Sequence, residues 1–279
     1  MLFRRPSPSG TDPITRGKAP SRYLMRELDS DIRESPVLPR RLAIVGAGRL
    51  GSALASALRA AGVSVQGPLR RDEVASPDAD TVLLCVGDAE IAGAAAALDR
   101  GPLIGHCSGA NGLDVLAGHE AFSLHPLLTV TRTGRAAFAG AGCAVSGTSP
   151  RALATAAGLA QRLGMRAVSV SDADRVAYHA AASMAANYLV TLEGAAERLA
   201  ATAGVDRALL GPLVRAAVEN WLELGARAAL TGPIARGDDA VVAAQRAAIA
   251  TRAPELLELF DALAGATRSL AAEPLEASR

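Results

Sequence analysis

The residues able to do chemistry fall into two groups. The first is Gly46-x-Gly48-x-x-Gly51, entered from the apolar run Leu42 to Val45 and followed without a break by an Ala-rich helical pattern. Strand, glycine turn and helix in that order make a phosphate cradle. Gly46 permits the tight turn, Gly48 puts no side chain against a pyrophosphate, and Gly51 lets the helix pack closely on the strand. The helix N-terminus adds free N–H groups and a positive dipole end. On this reading Gly46, Ala47, Gly48, Arg49, Leu50 and Gly51 hold the phosphates of a nicotinamide dinucleotide. The other reading is a turn that serves packing alone.

The second group is set on a predicted long helix, where His179, Ser183 and Asn187 are spaced i, i+4, i+8 and share one face. Alanines surround them and leave room for a ligand. Reducing a ketone requires a group that protonates the developing alkoxide, and a 2-keto acid also requires a cation or oriented N–H groups for its carboxylate. A histidine can donate a proton near neutral pH, which makes His179 the candidate donor, and Asn187 can orient a carbonyl. Equally open are a histidine satisfied by a neighbouring carbonyl and an amide bridging two helices. Arg236 and Asp238 lie in the loop Thr231-Gly-Pro-Ile-Ala-Arg-Gly-Asp238. Arg236 is expected to take a substrate carboxylate bidentately and Asp238 to cap the next helix. His125, extended because Pro126 follows it, is expected at a strand end. No His-x-His, Glu-x-x-His or cysteine cluster supports a metal site.

The choice between dinucleotides is read from the second strand, taken as Val63-Ser-Val-Gln66. An NAD enzyme places an acid there, about 20 residues beyond the first glycine. Gln66 stands at this tip, and Arg70 and Arg71 follow. Two guanidiniums suit a ribose 2′-phosphate, so NADP (NADPH) is expected over NAD. The alternative is a solvated loop partly neutralised by Asp72 and Glu73. Val86 and Gly87, after the strand Thr81 to Val86, are expected against the dinucleotide. Ser108, after a strand at 102–106, is expected at the nicotinamide ribose or in a plain turn.

These groups need a frame. Strands are expected near 122–124, 143–145 and 166–170 as well, and helices to Ala61 (stopped by Gly62), at 89–98 and near 151–163. After Val170 the β-pattern ends. Ser171 reads as the N-cap of a helix that runs about 30 residues, roughly 45 Å, to Ala203. Further helices are expected at 206–229, 238–251 and 254–271. The fold class is therefore α/β, a Rossmann-type dinucleotide-binding domain over 40–170 followed by an all-helical domain over 171–279. Residues 1–39, rich in Pro, Ser and Arg, read as a disordered tail.

The formal net charge of +1 and the scarcity of aromatics give no reason to expect nucleic acid or a membrane surface as partner. No apolar run reaches the ~20 residues of a membrane span. Three cysteines without a Cys-x-x-Cys pair fit a reduced, cytoplasmic setting. The Ala- and Leu-rich helices predict a homodimer built through the helical domain. A bundle that buries these faces internally is the alternative.

The glycine turn, His106-Cys-Ser-Gly-Ala110, Ser123-Leu-His-Pro-Leu127, Tyr178-His-Ala-Ala-Ala with Ala186-Asn-Tyr188, and Leu230-Thr-Gly-Pro-Ile-Ala-Arg-Gly-Asp238 occur in that order. Over about residues 40–275 the chain thus resembles a bacterial family that joins a Rossmann-like domain to a helical C-terminal domain of unknown function. That family is distantly related to pyrroline-5-carboxylate reductase, ketopantoate reductase and the hydroxyacid dehydrogenases. The resemblance implies a 6-phosphogluconate-dehydrogenase-like architecture and an NADP-dependent reductase of a small keto acid, with 2-dehydropantoate (ketopantoate) first. A cyclic-imine reductase and a non-catalytic NADP sensor or scaffold are the other readings. Gln245 stands where the family pattern implies a histidine.

Overall fold

The computed structural model describes residues 37–131 and 136–274. The expected tail lies outside them, apart from 37–39. Those residues already belong to the folded body, because Leu38 packs on the core.

The N-terminal unit ends at His179 and the C-terminal unit begins at Ala180. In the first, β1 (Leu42–Val45) leads through the glycine turn into α1 (Arg49–Ala60), then β2 (Val65–Leu69) and β3 (Thr81–Leu84). A short helix α2 (Ile91–Ala96), β4 (Leu103–His106), β5 (Ala121–Leu127), β6 (Gly142–Gly147), α3 (Pro150–Arg162) and β7 (Arg166–Ser169) follow. The strand order is β2-β1-β3-β4-β5-β6-β7. Pairing is parallel from β2 across to β5, antiparallel between β5 and β6, and parallel again between β6 and β7. The chain reverses its direction of travel between β1 and β3, and such sheets open a ligand crevice there, beyond the carboxyl ends of the strands.

Both faces of the sheet are covered. Leu42 and Ile44 point into one apolar cluster with Leu54, Leu58, Phe122 and Val145. Ala43 points into the other with Val82, Leu84, Ile91 and Ile104. This explains why the strands read as continuous apolar runs.

Two boundaries differ from the expected ones. β2 does not end at Gln66 but continues to Leu69, which pairs with Val45, while Ala43 pairs with Gln66. One extra residue of β2 is accommodated between those pairs, and Gly67 sits there at φ +92°. A Cβ on Gly67 would meet the Ile44 carbonyl at 2.5 Å. The Gly-Pro that looks like a strand terminator is therefore an irregularity inside the strand. Ser171, in turn, is no N-cap. α4 (Arg175–Ser183) starts four residues later, and the Ser171 hydroxyl donates to the Asp174 carboxylate at 2.6 Å.

In the C-terminal unit a π-helical turn, Met184–Tyr188, leads into α5 (Leu189–Ala201). α6 (Arg207–Leu224), the short α7 (Ala226–Ala229) and α8 (Pro233–Arg236), α9 (Asp239–Arg252) and α10 (Leu257–Ala272) complete it. The unbroken helix expected over 171–203 is thus divided, and that expected over 206–229 breaks at Gly225, φ +76°. Burial here is thin: Ala195, Ile249, Ala253 and Leu256 form the centre.

Candidate active site

The first part of the site is the glycine turn. Gly46 takes φ +109°, and a Cβ on it would lie 2.4 Å from the Cys85 carbonyl oxygen. A Cβ on Gly51 would lie 2.0 Å from the Gly46 carbonyl oxygen. Both glycines are required by the chain itself. Gly48 is different: it stands at the N-cap of α1 with φ −73° and ψ −177°, a conformation open to any residue. A Cβ there would meet nothing within 4 Å.

The turn opens onto a crevice of about 750 Å³ whose lining includes Gly46, Ala47, Gly48, Arg70, Arg71, Val86 and Gly87. Seven of the eleven residues expected at a cofactor are therefore gathered in one place. Arg49, Leu50, Gly51 and Ser108 are outside that lining. Leu50 packs against the core, and Gly51 serves helix–strand contact. Arg49 reaches the Val130 carbonyl at 3.4 Å.

Because β2 runs on to Leu69, the residue just past its tip is Arg70 rather than Gln66. Gln66 is a brace for the following loop: its amide donates to the Val74 carbonyl at 3.3 Å and accepts from the Ser76 N–H at 2.7 Å. Arg71 pairs with Glu90 at 2.7 Å, both side chains largely in solvent. The Glu73 carboxylate accepts from the Arg70 backbone N–H at 2.6 Å, and Arg70 itself lines the crevice.

The second part of the site forms beyond the carboxyl ends of β4 and β5. β5 pairs with β4 only as far as Ser123, opposite His106, and then continues alone against β6. His125 thus stands inside β5, past the end of β4. Its Nδ1 lies 2.8 Å from the Tyr178 hydroxyl. His179, on the next helical position, sets its ring edge-on to His125 with centroids 6.0 Å apart. Gly109 lies buried beneath both rings, and a Cβ on it would come within 2.7 Å of His125 and 2.8 Å of His179. The glycine makes room for the two imidazoles.

Protonation states follow from burial. His125 is held down to about 4, first by burial and then by the positive charges of His179 and Arg175. It is neutral near pH 7. Burial pushes the Tyr178 phenol above its usual range, so it stays a neutral hydroxyl able to donate to Nδ1. In that tautomer His125 carries its own proton on Nε2. His106 is committed elsewhere: Nδ1 accepts from the Ser108 N–H at 3.1 Å, and Nε2 donates to the Gly112 carbonyl at 3.0 Å. The Ser108 hydroxyl accepts from the N–H groups of Ala110 and Asn111 at 3.2 and 3.0 Å, the plain turn role.

Arg175 was not singled out by the sequence, and it is the largest fully buried side chain. Its guanidinium donates to the Ser123 hydroxyl, to the Ser146 hydroxyl at 2.7 Å and to the Ser108 carbonyl at 3.4 Å. Asp172 closes the set at 3.1 Å. The signal available beforehand was a serine inside each of two apolar strands, at Ser123 and Ser146. Paired across β5 and β6, they present polar atoms that the interior must satisfy.

The remaining expected residues lie in the C-terminal unit. The π turn breaks the α-helical spacing on which the shared face of His179, Ser183 and Asn187 was argued, and Asn187 is exposed. Arg236 pairs with Asp238 at 3.0 Å. Asp238 holds the N-cap position of α9 without making the side-chain cap bond, because its carboxylate is turned to Arg236. Among the described residues no cluster of three or more His, Cys, Asp or Glu side chains is arranged for a metal. No described helix is long and apolar enough to cross a membrane.

Residues 141–267 match the family model of a domain of unknown function, DUF2520. No curated protein sequence matches the chain. Among solved structures, the chain is similar to BF3122 from Bacteroides fragilis, assigned as an NADP oxidoreductase, at TM-score 0.73 and 19% identity over 82% of this chain and 98% of that one. It is similar to 1-pyrroline-5-carboxylate reductase from Streptococcus pyogenes at TM-score 0.51 and 13% identity, covering 82% and 98%. A reductive aminase from Aspergillus terreus, solved with NADPH, is similar at TM-score 0.55 and 19% identity, covering 86% and 96%. These likenesses show the fold: a Rossmann-type domain followed by a helical region.

Proposed function

We propose that the chain is an NADPH-dependent reductase of a C=O or C=N bond in a small molecule. One observation carries the reading: apart from a modest N-cap preference, neither backbone conformation nor packing calls for glycine at Gly48, whereas a pyrophosphate held by this turn would. Gly46, Ala47, Gly48 and the first N–H groups of α1 would hold the phosphates, and Arg70 and Arg71 the 2′-phosphate. The crevice volume is in the range of cofactor sites. The similar folds named for NADP chemistry support the same reading. When bound, NADPH supplies the hydride.

The chain's own residues supply the rest. The Nε2–H of His125 donates to the substrate heteroatom, with Tyr178 fixing the tautomer through Nδ1. His179 delivers the proton. A carboxylate on the substrate would call for a cation, and Arg236, proposed for that role, would have to exchange Asp238 for it. That makes 2-dehydropantoate and other keto acids one arm of the substrate question. Cyclic imines, which need a proton donor and no second cation, are the other. NADPH oxidation followed by absorbance against both compound classes decides the matter. NADPH binding with no turnover on either class would favour the sensor reading.

We further propose a homodimer built through the C-terminal unit. Leu209, Leu213 and Leu222 of α6 are 70%, 68% and 69% exposed, with Trp221 beside them at 53%. Tyr188, Trp221, Leu259 and Leu263 line an apolar groove of about 750 Å³. An apolar face of this kind marks an association surface, and a second copy offers the same chemistry in return. Sedimentation of a monomer at micromolar concentration with full activity would exclude it.

A further inference from the structure

The carboxyl ends of β3 and β4 carry a feature the reductase reading does not use. The register Leu84 with His106 makes Cys85 and Cys107 the next facing pair, and their sulfurs are 3.7 Å apart. Both backbones are still held in the sheet, Cys85 N–H to the Val45 carbonyl at 2.7 Å and Cys107 N–H to the Leu84 carbonyl at 3.2 Å. Neighbouring strands lie about 4.8 Å apart, inside the roughly 4.4–6.8 Å between Cα atoms that a disulfide spans. Closure has to bring the sulfurs from 3.7 Å to bonding distance, about 2.05 Å. The two thiols differ in access. Cys107 is buried, and the contact to Cys85 together with burial pushes its thiol up. Cys85 is half-buried, packed on the core and lining the crevice beside Val86 and Gly87.

We propose that Cys85 and Cys107 are a modification site: a hydroperoxide oxidises them to a reversible disulfide, and occupancy of the crevice opposes it. The competition rests on the nucleotide reading above; the disulfide does not. The Cys85 thiolate attacks the peroxide, an S–O bond forms, the O–O bond breaks, and the alcohol or water leaves. Sulfur gives up two electrons and the peroxide takes them. The Cys107 sulfur then attacks the Cys85 sulfur, the S–S bond forms, and hydroxide leaves to combine with the thiol proton as water. Two thiols and one hydroperoxide give one disulfide, one alcohol and one water. A small thiol reverses it by exchange. A dinucleotide bound in the crevice would cover Cys85 from that side and hinder the peroxide.

The test uses the full chain, hydrogen peroxide and mass spectrometry. Limited oxidation should remove two hydrogen masses, join the peptides holding Cys85 and Cys107, and reverse with dithiothreitol. C143S should behave as wild type, and C107S should stop at a Cys85 sulfenic acid that dimedone traps. NADPH at ten times its Kd leaves about one-eleventh of the sites free, so closure should slow about elevenfold. Oxidation that only adds oxygen to Cys85, with no joined peptide, overturns the proposal. So does closure at an undiminished rate while fluorescence shows NADPH bound. If the joined peptide forms and fluorescence shows no NADPH binding, the disulfide stands and the nucleotide reading falls.

Discussion

Substituting alanine at Gly48 and at Gly51 makes one chemical change three residues apart, and the geometry demands opposite outcomes. At Gly51 the new Cβ would sit 2.0 Å from the Gly46 carbonyl oxygen and 3.1 Å from the Cys85 Cβ. Alanine gains about 1 kcal/mol of helix propensity there. The clash forces α1 off β1, and overpacking of this kind costs about 3 kcal/mol or more. A net loss of about 2 kcal/mol lowers Tm by roughly 4–8 °C in a domain of this size. At Gly48 the backbone suits any residue, and the Cβ meets nothing. A poorer N-cap costs about 0.5–1 kcal/mol, and the stiffer unfolded chain returns about 0.4–1 kcal/mol. Stability should therefore hold while NADPH affinity falls. Loss of one charge-assisted phosphate contact, about 1.5–3 kcal/mol, is roughly a ten- to hundredfold rise in Kd. Thermal melts and NADPH fluorescence titration read the two axes separately. A folded Gly48→Ala that binds NADPH like wild type refutes the cradle. A Gly51→Ala as stable as wild type refutes the packing argument.

The crevice charges give a second prediction. Arg70→Ala/Arg71→Ala should weaken NADPH binding selectively over NADH, whereas Glu90→Gln, which releases Arg71 from an exposed and therefore weak ion pair, should strengthen it several-fold; competitive titration of both cofactors checks this. His125 predicts a pH effect. Its value near 4 in the fold lies below the ordinary 6.5, so the unfolded chain binds the extra proton between those values. The stability it contributes is complete above about pH 6.5 and is lost as pH falls towards 4, about 3 kcal/mol in all. The urea midpoint of His125→Gln should accordingly drop less than wild type between pH 7 and pH 4.5. On the true substrate, His179→Ala should lower kcat more than it raises KM, because a proton delivered in the transition state adds little to ground-state binding; steady-state kinetics on a folded variant reads the split.

Much of the N-terminal unit was legible because parallel strands buried on both faces read as apolar runs, and Leu42–Val45, Thr81–Leu84 and Leu103–His106 lie within the expected spans. What escaped were features that depend on partners distant in sequence. Gly67-Pro68 carries every local sign of a strand end, and only pairing with β1 turns it into a bulge and carries the tip on to Arg70. The long helix read cleanly from the absence of Pro between 171 and 203, but no pattern of that kind announces a π turn at Met184–Tyr188. Asp238 satisfied the composition rule for an N-cap, yet an arginine two residues earlier took its carboxylate.

Arg175 shows why the site's chemistry was harder to read than its cofactor turn. A glycine motif is local, so spacing reveals it. The proposed catalytic cluster is assembled by one buried cation whose partners, Asp172 apart, are 29 to 67 residues away. Arg175 ties the first turn of α4 to Ser108 at the end of β4 and to Ser123 and Ser146 across β5 and β6. Tyr178 and His179 stand three and four residues further on, the same helical face one turn along. Fixing Arg175 therefore fixes where those rings point, and they point at His125 and the surface of Gly109. The same guanidinium helps hold His125 neutral. A buried charge is costly unless its hydrogen bonds are satisfied, and here Ser123 belongs to the strand that carries His125, while Ser108 is the chain neighbour of Gly109. The polar network that keeps the charge tolerable is thus also the one that sets the distance between helix and strand residues at the reacting end of the sheet.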